Sequence, residues 1–440
     1  MNRPVVPAPP LWDFPEPRTA LLDNGVRVLV FERPGQHLIN ATLVLDLPLS
    51  SEAPDREGVS AILQRCLDEG TETHPGIDFA DELEGCGAVL AGGCSHAATH
   101  LSLEVPSTRF TAALPLFAEA VREPQLADAD VARHVELRLA EIAQQEAHPS
   151  HRGALAFRSA VVGAEFRESR PGAGSAATVA GITAADVRAQ HRARYGPERA
   201  TLVLAGDFGA DPLSPVTDAF GGWRRPTSPV DHETPRPAPA RALLIHRPGA
   251  VQADVRLGRF GLDRRHPDYA ALRLGSFVLG GGFLSRLNRV LREERGYTYG
   301  IQLANTPARS GGLLTMHASF RTEVAVPAIV EASELLRVDG DRGITEAELA
   351  DAVNFLIGIA PLRCATASGI SDQAAALIEA GLDTGFVNAH AAALRRVTAD
   401  QATEAVERHI PVDDLSLIVV GDADALAEPL RAAGIALDVA

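Results

Sequence analysis

Lysine is missing from this chain: every one of its 41 basic residues is an arginine. We read this as a compositional bias of the kind GC-rich coding produces, not as a functional device. Cysteine is scarce, 4 in 440 residues, and Cys66, Cys86, Cys94 and Cys364 show no Cys-x-x-Cys spacing. That excludes the usual cysteine-based zinc sites and leaves reduced thiols of a cytoplasmic protein. No run approaches the roughly 18 apolar residues of a membrane-crossing helix. The opening MNRPVVPAPPLWDFPEP lacks the continuous apolar segment of a signal peptide. Positive charge is also in deficit: the net charge is −16, which argues against nucleic acid or an anionic membrane as partner. Apolar residues are plentiful at 46%, ample for sizeable cores in about two to four domains.

Residues 1–17 are proline-rich and predict an extended arm. LLDNGVRVLVF, Leu21 to Phe31, sets Asn24-Gly25 between two apolar runs and reads as a hairpin. Leu38 to Leu49 reads as a strand, Glu57 to Glu69 and Asp78 to Gly85 as helices, and Ala88 to Gly92 and His96 to Val105 as strands. Thr108 to Arg122 and Asp128 to Glu146 read as helices, and Leu202 to Gly206 as the strand that closes a first half. The end of that half returns at the end of the chain. GITAADVRAQHRARYGPERATLVLAGD stops at Asp207, and VTADQATEAVERHIPVDDLSLIVVGD stops at Asp422. Thr183 and Thr398, Gly206 and Gly421, Asp207 and Asp422 match at one constant offset, which argues for duplication. Two αβ halves follow, 18–222 and 243–440. Between them Trp223 to Ala242 carries prolines that sustain neither helix nor sheet, the mark of a stiff linker. A cleft between such halves is a usual place for a ligand.

One stretch organises the second half: LGGGFLSRLNRVLREERGYTYG, Leu279 to Gly300. It reads as a glycine-rich loop, a short helix with Leu284, Leu287, Val290 and Leu291 facing inward, a stop at Gly296, and a strand from Tyr297 to Leu303. This carries Arg292, on the last helical turn, close to Tyr299, on the strand. A guanidinium and a phenol held together are donors for a peptide carbonyl or the oxyanion made from it. The plain alternative is a dipole-favoured arginine and a half-buried strand tyrosine.

In the first half, EGVSAILQRCLDEGT (Glu57 to Thr71) buries Val59, Ile62, Leu63, Cys66 and Leu67 on one face. Ala61, Gln64, Arg65 and Asp68 form the opposite stripe, where positions 61 and 65 share a face as two metal ligands would. Here the sequence resembles the pitrilysin/insulinase family of zinc metallopeptidases, in the branch of the mitochondrial processing peptidase. In that family the helix carries HxxEH followed by GT, with two zinc-binding histidines, a glutamate as general base, and a second glutamate ligand on a later helix. Laid on that pattern, Ala61 and Arg65 take the histidine positions, Gln64 takes the base, and Glu141 alone keeps a ligand. The resemblance covers nearly the whole chain and includes the family's arginine–tyrosine pair, Arg292 and Tyr299.

The resemblance implies an α+β fold of two homologous αβ domains, each a mostly antiparallel sheet with helices packed on it, in clam-shell-like halves. The departures imply that this chain binds no zinc. Alanine has no donor atom, arginine brings positive charge to the metal's place, glutamine takes no proton from water at neutral pH, and one carboxylate does not make a three-ligand site. The family's bacterial members divide the labour between a subunit with HxxEH and one that keeps only the arginine–tyrosine pair. This sequence matches the second. It implies a non-catalytic subunit that binds an extended peptide and completes the active site of an HxxEH-bearing partner, which holds the zinc. The rival is a structural or assembly protein, like the respiratory core subunits of the same fold.

Lesser features stay open. Ala88, Val89 and Leu90 lie where the family adds a peptide strand, or mark only an edge strand. Gly281 and Gly282 give the backbone freedom to approach a substrate, or pack the helix beneath. His96 and His100 point to one face of a predicted strand and are poor metal candidates. His134 and Arg138 share a helical face with Glu141. A polar cluster with Arg65 in the vacated metal position is one reading of Glu141, and a solvated helix carboxylate is the other.

Overall fold

A computed structural model describes residues 12–440. Six strands of the first half are β1 (Arg18–Leu21), β2 (Arg27–Glu32), β3 (Leu38–Leu45), β4 (Val89–Cys94), β5 (Thr99–Pro106) and β6 (Ala200–Gly206). Six of the second are β7 (Ala242–His246), β8 (Gln252–Gly261), β9 (Ile301–Pro307), β10 (Gly312–Arg321), β11 (Ser416–Gly421) and β12 (Asp438–Val439). They build two sheets of like order, β1-β2-β6-β3-β5-β4 and β12-β7-β11-β8-β10-β9. Only the pairs β2–β6, β7–β11 and β7–β12 run parallel. The class is α+β with mixed, mostly antiparallel sheets, as the sequence implies.

The duplication is written in hydrogen bonds. Arg33 N–H donates to the Gly206 carbonyl at 2.8 Å, and Arg247 N–H to that of Gly421 at 2.7 Å. Gly35 N–H donates to Asp207 at 2.8 Å, and Gly249 N–H to Asp422 at 2.9 Å. Thr183 and Thr398 each open a helix with a capping box, closed by Asp186 and Gln401 respectively. Thr183→Ala and Thr398→Ala should therefore each cost about 1 kcal/mol, read as matching shifts of the urea midpoint.

The central strands β6 and β11 are buried along their whole length, so both sheet faces must be covered. One face of each sheet carries helices of its own half. The other face carries a helix lent by the opposite half. Helix Pro149–Val161 packs on β8 and β11, and helix Ala367–Glu379 packs on β3 and β6. Phe157, Ala160 and Val161 join Ile245, Ile418 and Val420 in one apolar cluster, while Ala367, Ile370 and Ala374 join Leu29, Phe31 and Val203 in another. Gly153 lets the first helix approach closely, since a Cβ there would lie 2.6 Å from Asp254 Oδ1. The halves are thus joined by exchanged helices and not by the linker alone. The linker itself lies along the first half: His232 bonds Asp46 at 2.7 Å, and Glu233 accepts from Arg167 N–H at 2.8 Å.

Several boundaries differ from the sequence reading. Residues 1–11 of the expected arm lie outside the described residues. Phe14 is docked, its backbone exchanging two hydrogen bonds with Asn388. The Glu57–Glu69 helix shrinks to Val59–Arg65 because Gly58, at φ 103°, sets its start and the chain leaves helical geometry after Cys66. The 279–300 stretch is wound wider than an α-helix at Phe277–Gly281 and again at Asn288–Glu294. Leu287 and Leu291 are buried, but Leu284 falls in the turn between the two wide stretches and is exposed. Gly280 and Gly281 close the first wide turn and do not form a free loop. The strand expected at Tyr297 begins only at Ile301, because the Asn288 side chain pairs with both the N–H and the C=O of Ile301. Tyr299 therefore sits on a loop.

Candidate functional site

The helix that matches the metal motif is held by a buried charge frame the sequence reading missed. Glu52 accepts from the N–H groups of Gly58 and Ser60, at 3.2 and 2.9 Å, and so caps that helix. Arg167 binds Glu52 at 3.0 Å with both side chains almost wholly buried, and Arg170 binds Glu57 at 2.8 Å. An N-terminal carboxylate suits the helix dipole, and its arginine keeps the charge from being left alone in the interior. Nothing local in the sequence signals these pairs, since the partners lie more than 100 residues apart.

On the outer face of the same helix, Arg65 grips Glu141 through both nitrogens, at 2.9 and 2.8 Å. Arg138 adds a third bond to Glu141 Oε2 at 3.2 Å. The hydrogen bond from Arg65, followed by that from Arg138, holds the Glu141 carboxyl below its ordinary range against a smaller opposing effect of burial. Ala61 offers no donor. Gln64 is buried beneath Gly92, where any Cβ would strike its amide, and neither end of that amide has a partner. His134 does not join Glu141, as its sequence position suggested; it bonds Glu69 at 2.8 Å, and Arg133 takes the other Glu69 oxygen at 2.7 Å.

Zinc at this place would meet one carboxylate already neutralised by two guanidinium groups. The residues do not fit the metal, and the motif has become an ion-pair cluster. Among the described residues, His266, Asp268 and His409 also lie close enough to share an ion. Arg408 holds Asp268 at 2.6 Å, however, and His266 Nδ1 accepts the Asp268 N–H.

Beside this cluster runs β4, the free edge of the first sheet. Ala88 is buried just before the strand, Val89 is exposed, and Leu90 borders a shallow cavity of about 360 Å³ with Gln64 and Arg65. His96 is not on β5 but in the preceding turn, where burial, with help from Arg158 and Arg167, pushes it down to about 3. His100 faces Glu379 at 3.3 Å.

The second half forms a separate groove of about 550 Å³ that gathers Gly281, Gly282, Arg292 and Tyr299. The Arg292 guanidinium lies 3.8 Å over the Phe283 ring. Its Nη2 donates to the Phe283 carbonyl at 3.1 Å and its Nε to Glu293 at 2.8 Å. Nη1 has no acceptor among the described residues. Tyr299 is 98% exposed. Phe283, which the sequence reading passed over, sets the arginine's direction, and only its place in the glycine run hinted at it. His317 also lines the groove and is bonded at 2.8 Å to the buried Asp254.

The helix carrying Arg292 is tied down by Arg286, whose two bonds to Glu348, at 2.8 and 2.7 Å, hold that carboxyl down to about 2. A depressed carboxyl stabilises the fold above its unfolded value, 4.5, and the contribution is lost as pH falls from there to about 2. Thermal melts should show wild type losing its advantage over Glu348→Gln between pH 5 and pH 2.5.

Comparison with known proteins agrees with this fold. A family profile described as insulinase (peptidase family M16) matches residues 27–168, and one described as the peptidase M16 inactive domain matches 181–356. A Mycobacterium tuberculosis protein named an uncharacterized zinc protease is 28% identical over 78% of this chain and 79% of its own. A Helicobacter pylori protein named a non-peptidase homolog is 21% identical over 83% of this chain and 84% of its own. The crystal structure of a peptidase M16 inactive domain from Pseudomonas fluorescens superposes with a TM-score of 0.84 at 25% identity, covering 92% of this chain and 98% of that one.

Proposed function

This chain belongs to the insulinase family of peptidases, family M16, and from that premise we propose that it is the non-catalytic subunit of a heterodimeric zinc peptidase. One observation carries the reading: Arg65 and Glu141 close the metal position, while the Arg292/Tyr299 groove stays open with a free guanidinium donor. In this proposal a homologous partner with an intact HxxEH holds the zinc. This chain supports an extended peptide and offers Arg292 Nη1 and the Tyr299 hydroxyl to its backbone carbonyl. The free edge of β4 could take the peptide as an added strand. A non-peptidase homolog among the relatives supports the non-catalytic part. The charge of −16 speaks against nucleic acid, and among the described residues no single helix is long and apolar enough to cross a membrane. Four unpaired cysteines, with Cys66 and Cys94 pushed by burial to about 12, suit a reducing compartment such as the cytoplasm.

Affinity purification from the native host, with mass spectrometry of what co-purifies, tests the reading. The expected result is an equimolar M16 partner bearing HxxEH and peptidase activity that needs both chains. Recovery of the chain alone, or only with itself, would sink it. A structural or assembly role is the second reading. It is favoured by the two Arg292 bonds already made to Phe283 and Glu293, which give that arginine a packing duty.

A further inference from the structure

The largest cavity adjoining the Arg292/Tyr299 groove has so far had no role. It measures about 610 Å³ and shares the wall residues Gly281 and Gln302 with that groove, so the two spaces lie side by side. Its size is that of a pocket for a small organic group. Its walls mix polar and apolar surface, with the aromatic rings of Tyr269, Phe277, Phe355 and Phe386 among them.

The charge of the cavity is opposite to that of the chain. Three arginines line it, Arg264, Arg273 and Arg363, and no aspartate or glutamate does. None of the three has a carboxylate partner among the described residues, although carboxylates outnumber arginines in the chain, 57 to 41. Arg273 donates instead to His390 Nε2 at 3.3 Å. Burial, then Arg273 and Arg264, push His390 down to about 3, so it is a neutral acceptor and relieves none of the positive charge. A second observation points the same way. Ser276 is 3% exposed and lines the cavity, yet its hydroxyl has no hydrogen-bond partner. A buried hydroxyl without a partner is costly unless a ligand supplies one.

We propose that this cavity binds a carboxylate carried on an apolar or aromatic group, with the arginines and Ser276 holding the anion and the aromatic walls holding the rest. Guanidinium groups suit a planar carboxylate, and the aromatic rings beside them favour an organic acid over a bare inorganic anion. The nearness of the groove, with Gly281 and Gln302 as the common wall, makes the carboxy-terminal residue of a bound peptide the favoured source; that assignment rests on the function proposed above. The cavity would then set where a peptide stops, and with it the distance from its terminus to the carbonyl at Arg292.

The chain carries its own reporter. It has two tryptophans; Trp12 lines the cavity and Trp223 is buried in the first half. Tryptophan fluorescence of the full chain would be titrated with an acetylated heptapeptide ending in phenylalanine, with the same peptide amidated, and with N-acetylphenylalanine. We expect saturable binding of both free acids, binding of the amide about tenfold weaker or less, and a loss of about tenfold for Arg273→Gln and for the exposed Arg363→Gln. Equal binding of acid and amide, or no saturation by any probe at millimolar concentration, overturns the proposal. Binding of N-acetylphenylalanine without the peptide overturns the peptide assignment and makes a free organic acid the ligand. These titrations use the chain alone, so their outcome is separate from any loss of peptidase activity in Arg292 variants of the assembled pair.

Discussion

Arg292→Ala is expected to slow peptide cleavage by the assembled pair about 10²–10³-fold in kcat, the usual effect of removing one donor from a developing oxyanion. The size of the effect follows from how the side chain is held. Phe283 lies under the guanidinium at 3.8 Å, its carbonyl takes Nη2, and Glu293 takes Nε. Three of the group's directions are therefore fixed before substrate arrives, and Nη1 is left without an acceptor among the described residues. A donor fixed in advance loses little entropy at the moment of reaction. Tyr299, on an exposed loop, has no such support, so Tyr299→Phe should cost less and show a larger share of its effect in KM. Phe283→Ala should give an intermediate loss, because it frees the arginine without removing it. Assembly should be unaffected by all three, read by analytical ultracentrifugation. A full rate with Arg292→Ala would instead support the structural reading of the chain.

Placing two histidines, Ala61→His with Arg65→His, is expected to make the chain retain one zinc per molecule through dialysis, measured by elemental analysis against the wild type. The change does two things at once. It supplies two imidazoles at i and i+4 on one helical face, and it takes away the guanidinium that holds Glu141 Oε1. Arg138 still bonds Oε2 and would orient the carboxylate as outer partners of metal ligands commonly do. Two imidazoles and one carboxylate are the protein share of a catalytic zinc site. Adding Glu141→Gln should abolish retention, which ties the metal to this place and not to surface histidines. No hydrolysis is expected from the double variant, since Gln64 cannot act as a base. Failure of the double variant to hold zinc would mean that the helix no longer presents positions 61 and 65 to Glu141 in ligand geometry.

Much of the molecule was legible in its residues. The constant offset between Thr183 and Thr398, or Asp207 and Asp422, showed the duplication because the same residues make the same local bonds in each copy. The capping boxes, and the turns in which Asp207 accepts from Gly209 N–H and Asp422 from Asp424 N–H, are short-range, so the letters at fixed spacing imply them. The emptied metal motif could be read from single positions, because alanine cannot ligate and arginine repels a cation in any fold. The ion pair of Arg65 with Glu141 was one of two readings, and the contact decided it.

What sequence alone did not contain was set by packing between distant segments. Asn288 clamps Ile301 and so starts the expected strand four residues late, leaving Tyr299 on a loop. Leu284 reaches the surface because it lies in a turn, where the periodicity assumed that the helix already ran.

The residues by themselves determined the two-fold repeat of αβ halves, which rests on identity at a fixed spacing. The resemblance to a family implied the α+β class, the lost zinc ligands and the arginine–tyrosine pair. Only the tertiary structure decided the exchange of helices Pro149–Val161 and Ala367–Glu379 between the sheets, the buried frame of Glu52 with Arg167, and the cavity where three arginines meet no acid. A buried strand announces that both its faces are covered, but nothing in its own residues says which distant helix does the covering. An arginine likewise carries the same charge whether its neighbours in space are carboxylates or aromatic rings.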